Sequence, residues 1–537
     1  MIIGPITKKM LCLIVATAMC LCGLSGCKTP QDYKSEADKQ AYNIIDEKWK
    51  APYGVKANYK ISDTAPSPND ILIEKAVPAN GILTLPEAVA LATAHNREYH
   101  LEKELLYTTA LDLRLTRHEF ETKYFVGASG NYYRSRGGTD EAIQGGVNLG
   151  FNRLLAQGAI VSTNVTAAWI DILTGDVRSG LTSILSTTVA QPLLRGSDRQ
   201  IVQENLTQAE RDMLYQVRLF NRFRKTFVVS IITEYCRILE LADRVENAKE
   251  NCHTLDWLCD RVEKLAGVGR VPKRELERIR QDALRALDIY IQAEKEYKQV
   301  LDDFKIMLGL PTTAEFRLDE KELKALSSAE MTYPDFSESQ AIEIALLQRL
   351  DLVNSADAII DAQRKIVVAA DSLRGDLTLI GGSNLTHETD TDFTTLRRQK
   401  GTVDVGILLD LPVERMFEQN EYRKALITLS QRQREYEQTS DIVTLEVRQA
   451  YRDLTEGMRR YSLQSAALEL AKKRLKDTYL LLRYGRASSR RVLRAQEDLF
   501  NAQNEAVDAL TDYAIATLNF YYSTGVLQVR PDGMWEY

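Results

Sequence analysis

The sequence predicts a mixed fold in which strand pairs alternate with unusually long helices, laid out as two tandem repeats. Two prolines carry the first observation. Pro192 closes an alternating apolar stretch in Val189-Ala-Gln-Pro-Leu-Leu-Arg-Gly196, and Pro412 does the same in Leu409-Asp-Leu-Pro-Val-Glu-Arg415. The second observation is the stretch after each proline. Roughly 70 residues of helical pattern run to Val268-Gly-Arg270 in one half and to Tyr484-Gly-Arg486 in the other. The third is the offset between the halves. Gly485 follows Gly269 by 216 positions (485 minus 269), and Pro412 follows Pro192 by 220 positions (412 minus 192). The two helical arms are therefore matched to within about one helical turn. Helices of this length do not fit one globular core.

The N-terminus reads as a secretory signal over residues 1–26. Lys8 and Lys9 supply the positive start, and Met10 to Leu21 form an apolar run that falls short of the about 20 residues a spanning helix needs. The run ends in Leu24-Ser-Gly-Cys27, which resembles a bacterial lipobox. That resemblance implies cleavage before Cys27 and a lipid on its sulfur; an ordinary signal peptide with an incidental cysteine is the alternative. Lys28 follows where an aspartate would favour inner-membrane retention, so outer-membrane sorting is expected. Of the seven cysteines, only Cys236, Cys252 and Cys259 remain beyond Cys27. An odd remainder argues against a disulfide framework. Cys252 and Cys259 lie about 10 Å apart along one helix, too far to bridge, so all three are expected to be packing residues.

Residues 27–82, polar with scattered Pro, Tyr and Asp, read as an extended leader. The first repeat covers 83–311. It opens with a helix from Leu85 to about Glu121, with a proline in its first turn. Strand patterns follow at Tyr124–Arg134, Ile143–Phe151, Ala159–Ile170 and Leu181–Gln191. Tyr132, Tyr133 and Trp169 are either membrane-interface aromatics or plain β-formers. The long helix should run from Leu206 to about Leu265, with Ile231, Ile238, Val245, Cys252, Cys259 and Ala266 at heptad spacing. A return helix spans Pro272 to about Leu308.

A linker over 312–336 precedes the second repeat, 337–526, and a tail covers 527–537. Ser337 is a plausible cap for a helix reaching about Arg374. Asp376 to about His387 and Thr402–Leu411 form the second strand pair. In the latter, Val403, Val405, Ile407, Leu409 and Leu411 share one face, the period-two pattern of a half-buried strand. About ten residues also suits a tilted membrane strand, although one sheet of a soluble sandwich would alternate in the same way. Val447, Leu454, Tyr461, Leu468, Leu475 and Leu482 repeat the heptad, and a return helix spans Ser489 to about Tyr522. The opening helices are offset by 253 positions (341 minus 88, Ala341 against Ala88). The first half is therefore the longer one ahead of its proline, by 33 positions (253 minus 220). The outer two of its four strands are taken as the pair matching the second half, and the inner two as an added hairpin.

This order, given twice, resembles the TolC-type outer-membrane efflux proteins, the outer membrane factor lipoproteins among them. Gln191-Pro-Leu-Leu-Arg-Gly196, the two glycine turns and Val492-Leu-Arg-Ala495 are close to phrases common in that family, and the resemblance covers about residues 83–526. It implies a membrane β-barrel continued by a long α-helical coiled-coil barrel. The assembly would be a homotrimeric single-pore channel, with four strands per chain closing a twelve-stranded wall. Pro192 and Pro412 would mark the strand-to-helix transitions. Val268, Gly269, Arg270, Tyr484, Gly485 and Arg486 would form the tip on which a periplasmic adaptor (membrane fusion) protein docks, with an inner-membrane pump behind it. The turns are basic, with Arg270, Lys273, Arg274, Arg483, Arg486, Arg490 and Arg491, where the family often carries acidic rings.

The function expected is passive conduction from adaptor and pump to the exterior. The chain would sit in the outer membrane, held there also by palmitate on Cys27, with its helical part in the periplasm. The alternative is a non-pore periplasmic coiled-coil lipoprotein, which explains the arms but not the strand pairs. No H-E-x-x-H, G-x-S-x-G, Walker loop or paired-cysteine metal site occurs, and the five histidines are dispersed. No enzyme activity, catalytic residue, metal or cofactor is therefore expected. A net charge of −6 gives no nucleic-acid footprint.

Overall fold

The structure is a computed structural model that describes residues 28–50, 53–54, 56, 59–61, 81–134, 141–172, 179–269, 271–322, 337–389, 400–484, 486–530 and 535–536. The expected signal peptide, Cys27, Arg270, Gly485 and most of the loop between the second pair of strands lie outside the described residues, as do parts of the leader, the linker and the tail.

In chain order the elements begin with α1 (Pro30–Lys48), β1 (Ile82–Leu83), α2 (Leu85–His95) and α3 (Arg97–Glu119). Four strands come next: β2 (Lys123–Arg134), β3 (Glu141–Leu154), β4 (Ile160–Ile172) and β5 (Ser179–Pro192). After them stand α4 (Arg199–Val202), α5 (Glu204–Gly267), α6 (Lys273–Met307) and β6 (Arg317–Leu318). The second repeat supplies α7 (Glu338–Gln348), α8 (Leu350–Ser372), β7 (Asp376–Thr389), β8 (Lys400–Asp410), α9 (Met416–Arg483) and α10 (Ser489–Ser523). Two short strands close the chain, β9 (Gln528–Val529) and β10 (Trp535–Glu536).

The arms match as the sequence predicts. α5 has 64 residues and α9 has 68, about 96 and 102 Å of helix, and the return helices α6 and α10 have 35 each. None of the described helices is long and apolar enough to cross a membrane.

Two compact units divide the chain. One comprises Met1–Trp49, Leu106–Leu214 and Arg364–Arg423; the other comprises Lys50–Leu105, Tyr215–Gln363 and Lys424–Tyr537.

The first unit holds the sheet. Its six strands run in the order β2-β3-β4-β5-β7-β8, every neighbouring pair antiparallel. The inner two strands of the first repeat, β3 and β4, pair with each other as the expected added hairpin. The hairpin is not set apart from the sheet but lies between β2 and β5: β3 pairs along its length with both β2 and β4, and β4 with both β3 and β5. The outer pair, β2 and β5, is therefore not adjacent as β7 and β8 are.

α1 departs from the expected extended leader. Thr29 and Asp32 form a reciprocal capping box, and Pro30 sits in the first turn, satisfying orphan amides where a helix must begin. The helix buries Ala41, Ile44 and Ile45. Tyr107 donates a hydrogen bond to Asp38 (2.6 Å), Arg117 bridges Glu47 (3.2 Å) and Glu210 (2.7 Å), and Lys48 also pairs with Glu210. The segment after Cys27 is thus docked on α3 and α5 within this unit.

The second unit is helical, and the duplication reappears in its packing. Tyr235 and Phe304 meet edge to face at 6.3 Å; their counterparts in the second repeat, Tyr451 and Phe520, do so at 6.0 Å. The opening helices are each broken, which corrects the continuous helices expected there. Asn96 separates α2 from α3, and Arg349 separates α7 from α8; both adopt extended backbone. The two breaks share the offset of the helices themselves, 253 positions (349 minus 96). Asn96 stops one helix and caps the next, its Oδ1 accepting from the Tyr99 amide at 3.0 Å. Arg349 is 2 % exposed and paired with Asp351 and Glu446. The Ser337 cap is as expected, with Gln340 closing the box. Ala341, Ala345, Val443, Val447, Ala450, Leu454, Tyr513, Ala516 and Phe520 form one buried core.

A carboxylate buried among these helices gives a pH test. Glu240 lies beside Arg244 (3.0 Å), which also reaches Asp508 (2.7 Å). Burial, with Asp508 nearby, pushes Glu240 up to about 7 against the pull of Arg244 and Arg237. The folded chain then holds this proton to a higher pH than the unfolded chain does. Its contribution turns unfavourable as pH rises from the ordinary carboxylate range through about 7, and the cost is complete above that. Glu240→Gln is expected to raise the unfolding temperature relative to the parent at pH 8, and to change it less at pH 5. A larger gain at pH 5 would contradict this.

Candidate functional site

Two regions carry the functional question, one in each unit. The sheet is the first. Residues opposed in an antiparallel pair point to the same face, so the registers sort every side chain. Tyr124, Val126 and Ala128 of β2 oppose Phe151, Leu149 and Val147 of β3. These oppose Thr163, Val165 and Ala167 of β4, and Val165 opposes Leu185 of β5. Leu185 opposes Leu385 of β7, and on the same face Leu379 and Gly381 of β7 oppose Ile407 and Val405 of β8. One face is therefore mainly apolar across all six strands, with Arg153, Thr163, Ser183, Thr187 and Ser383 among its polar exceptions. The other carries Ser129, Asn131, Gln144, Asn148, Asn152, Ser162, Asn164, Thr166, Thr182, Ser186, Thr188, Asn384, Thr402 and Asp404. Phe125, Leu154, Ile160, Ile170, Ile184, Ile380 and Leu408 are among its apolar exceptions.

The apolar face is uncovered. On the edge strands Val126 is 69 % exposed and Val405 is 74 % exposed; on the inner strands Leu149 is 50 % and Leu385 44 % exposed, with Val147, Phe151 and Val165 half-buried. A soluble sandwich would bury such a face against a second sheet; here the apolar side chains stand open, as those of a lipid-facing band do. Of the expected interface aromatics, Tyr132 lies on the apolar face and Tyr133 on the polar one, while the side chain of Trp169 lies outside the described residues. Pro192 is the last residue of β5, where the following Leu193 amide still donates to Leu377 O at 2.7 Å. Pro412 stands between β8 and α9, and Arg415 fixes that corner by donating to Leu373 O at 2.7 Å.

The second region is the pair of turns. Leu258 and Val262 of α5, Ile279 of α6 and Val492 of α10 form one buried cluster, with Val271, Leu276, Tyr479, Leu482 and Leu493 against it. The two turns come from different repeats yet share a small core, a meeting that no local pattern foretells. Gly269 has φ +75°, and its amide donates to Ala266 O at 3.0 Å; the left-handed conformation is what ends α5 there. Val268 and Tyr484 are 69 % and 74 % exposed, and Arg486 is exposed beside them. Lys273, Arg274, Arg483, Arg490 and Arg491 are exposed too, leaving the described turn surface basic, and Asp256 and Asp260 are exposed on α5. Trp257 packs edge to face on Tyr479 at 6.3 Å, with Arg261 over its ring at 5.3 Å.

The three described cysteines make no bond with one another: Cys236 and Cys252 are buried and Cys259 half-buried. Burial pushes the Cys236 thiol up to about 12, far from the thiolate form that reacts. Among the described residues no group of His, Cys, Asp or Glu is placed to hold a metal ion.

The chain thus joins duplicated, matched helical arms to a sheet mainly apolar on one face, and comparison with known proteins shows where that arrangement occurs. Residues 341–526, nearly all of the second repeat, match the family model Outer membrane efflux protein, which bears out over that repeat the resemblance read from the sequence. No curated protein matches the chain.

Among solved structures, the chain is similar to the transmembrane channel protein CusC, with 15% identity over 88% of this chain and 96% of that one and a TM-score of 0.59. It is similar to the CmeC outer membrane channel of Campylobacter jejuni, with 16% identity, 89% and 91% coverage and a TM-score of 0.59. It is also similar to the MtrE outer membrane channel of Neisseria gonorrhoeae, with 12% identity, 88% and 94% coverage and a TM-score of 0.59. At these identities the likeness is one of fold: long helices and antiparallel strands arranged as in those channels.

Proposed function

We propose that the chain is the outer-membrane channel of a tripartite efflux or secretion system. Three copies close their sheets into one barrel in the outer membrane, and their helical arms form a hollow coiled-coil barrel in the periplasm. Substrate handed over by an inner-membrane pump and a periplasmic adaptor passes through passively. The observation that carries this reading is the two-faced sheet: an exposed apolar side suits lipid, and a polar side suits a water-filled lumen. Apolar residues left exposed along the helices, Leu284, Leu287 and Ile291 on α6 and Leu463 and Leu470 on α9, fall at coiled-coil spacing and suit burial against neighbouring copies.

The adaptor would dock on Val268, Gly269 and Arg270 together with Tyr484, Gly485 and Arg486. Opening would be a shift of the helical tip between two packings, biased by partner contacts. Deleting the gene while leaving pump and adaptor in place is expected to raise cellular accumulation across a panel of dyes, antibiotics and metal ions. The purified protein is expected to run as a heat-modifiable oligomer. Unchanged accumulation for every member of the panel, with a monomer on the gel, would contradict the proposal.

Lipid on Cys27 would be a second hold on the membrane beside the barrel. Cys27→Ala is expected to abolish incorporation of labelled palmitate and to leave the barrel inserted. Continued labelling of the variant would overturn the lipid assignment.

A further inference from the structure

We propose that all six strands of each chain are membrane wall, so that three copies close an eighteen-stranded barrel in which β8 of one copy pairs with β2 of the next. This rests on the trimeric channel reading above, and it departs from the twelve strands that the family resemblance implies.

The added strands are built like the rest. β3 and β4 have 14 and 13 residues, against 12 to 14 for β2, β5 and β7 and 11 for β8. All reach or exceed the about 9–11 residues that a tilted strand needs to cross a bilayer. Their registers are unbroken, with Ala142–Leu154 opposed residue by residue to Ile160–Ile172. They carry the same two faces as their neighbours. Ile143, Val147, Leu149, Phe151, Val161 and Val165 lie on the apolar side, with Arg153 and Thr163 beside them, and Gln144, Asn148, Asn152, Ser162, Asn164 and Thr166 lie on the polar side, with Ile160 and Ile170 beside them. A hairpin projecting above the membrane would leave that apolar face in water and would pull β2 away from β5. Lying between them, the hairpin makes the apolar band continuous.

The edges define the partner. Among the described residues β2 pairs only with β3 and β8 only with β7. An open edge in lipid leaves backbone groups without hydrogen-bond partners, so each edge needs a strand. Strands alternate in direction across the sheet, so the first and sixth run oppositely and can pair antiparallel, as closure of identical sheets requires. Their lengths, 12 and 11 residues, match. The occupant of each edge is therefore a second copy of this chain. With neighbouring strands about 4.8 Å apart and a tilt of about 40°, eighteen strands give a backbone cylinder of radius about 18 Å and twelve give about 12 Å. The membrane section of this channel would have roughly twice the cross-section of a twelve-stranded one.

The test places single cysteines at Val147, Val165, Asn148 and Thr166, with Leu385 and Asn384 as a reference pair, in a chain whose Cys236, Cys252 and Cys259 are alanine. Each carries a small fluorophore, and the oligomer is reconstituted in vesicles. Nitroxide-labelled lipid is expected to quench positions 147 and 165 as it does 385. Aqueous iodide is expected to quench 148 and 166 as it does 384. Iodide quenching at all four hairpin positions, with the reference pair still alternating, would overturn the inference while leaving the channel reading standing. Failure of the reference pair to alternate would overturn both. An electron-microscopy map of the unmodified oligomer gives a second readout: eighteen wall strands support the inference, and twelve refute it.

Discussion

Val405→Arg is expected to remove the heat-stable oligomer from the outer membrane. Val405 is the central residue of β8 and opposes Gly381 on the apolar face. At the bilayer midplane an arginine on the lipid face costs about 2–4 kcal/mol. A trimer would carry that cost three times, about 6–12 kcal/mol, comparable with the whole stability of a folded domain. Thr402→Arg, which opposes Asn384 on the polar face of the same strand, adds the same charge where it meets water, and its oligomer is expected to stay near the parent level. Semi-native gels of outer-membrane fractions read both variants. A Val405→Arg oligomer as abundant as the parent would mean that this face does not meet lipid.

Gly269→Val is expected to abolish efflux and to leave oligomers intact. A Cβ at Gly269 would meet nothing within 4 Å, so no steric collision follows. The cost lies in the backbone, because φ is +75° and a β-branched residue is strained there by about 1–3 kcal/mol. The strain is local to the end of α5 and small beside the packing of the long helices. The turn would re-form with a different backbone and carry Val268 out of place. Accumulation of pump substrates should then rise to that of the deletion strain, while the oligomer band on a gel is unchanged. Unaltered efflux would take the first turn out of the docking surface.

The long helices were legible in the sequence because heptads are local and repeat: Ile231, Ile238 and Leu454 announce the buried stripe, and Gly269 announces its end. The breaks at Asn96 and Arg349 were not, since helical spacing continues on both sides and neither site has a proline or a glycine. Asn96 offered a weak sign as a favoured cap residue. Arg349 offered none, its role resting on Asp351 and the distant Glu446. The helix α1 was missed because its composition is polar, although Thr29, Pro30 and Asp32 spell a capping box. Each of the six strands was visible as a strand-like stretch, Thr402–Leu411 by its alternation. Their union was not, because the joint between the two repeats, β5 against β7, pairs Leu185 of one half with Leu385 of the other. The same holds at the turns, where Val262, Ile279 and Val492 meet only through tertiary packing.

A channel of this kind must enclose a continuous aqueous path through a membrane. Single-channel recording of the purified protein in planar lipid bilayers tests that most directly. Discrete conductance steps of uniform size are expected, appearing with the oligomer and absent with Val405→Arg. Folded oligomer that inserts into the bilayer and passes no current would contradict the channel reading.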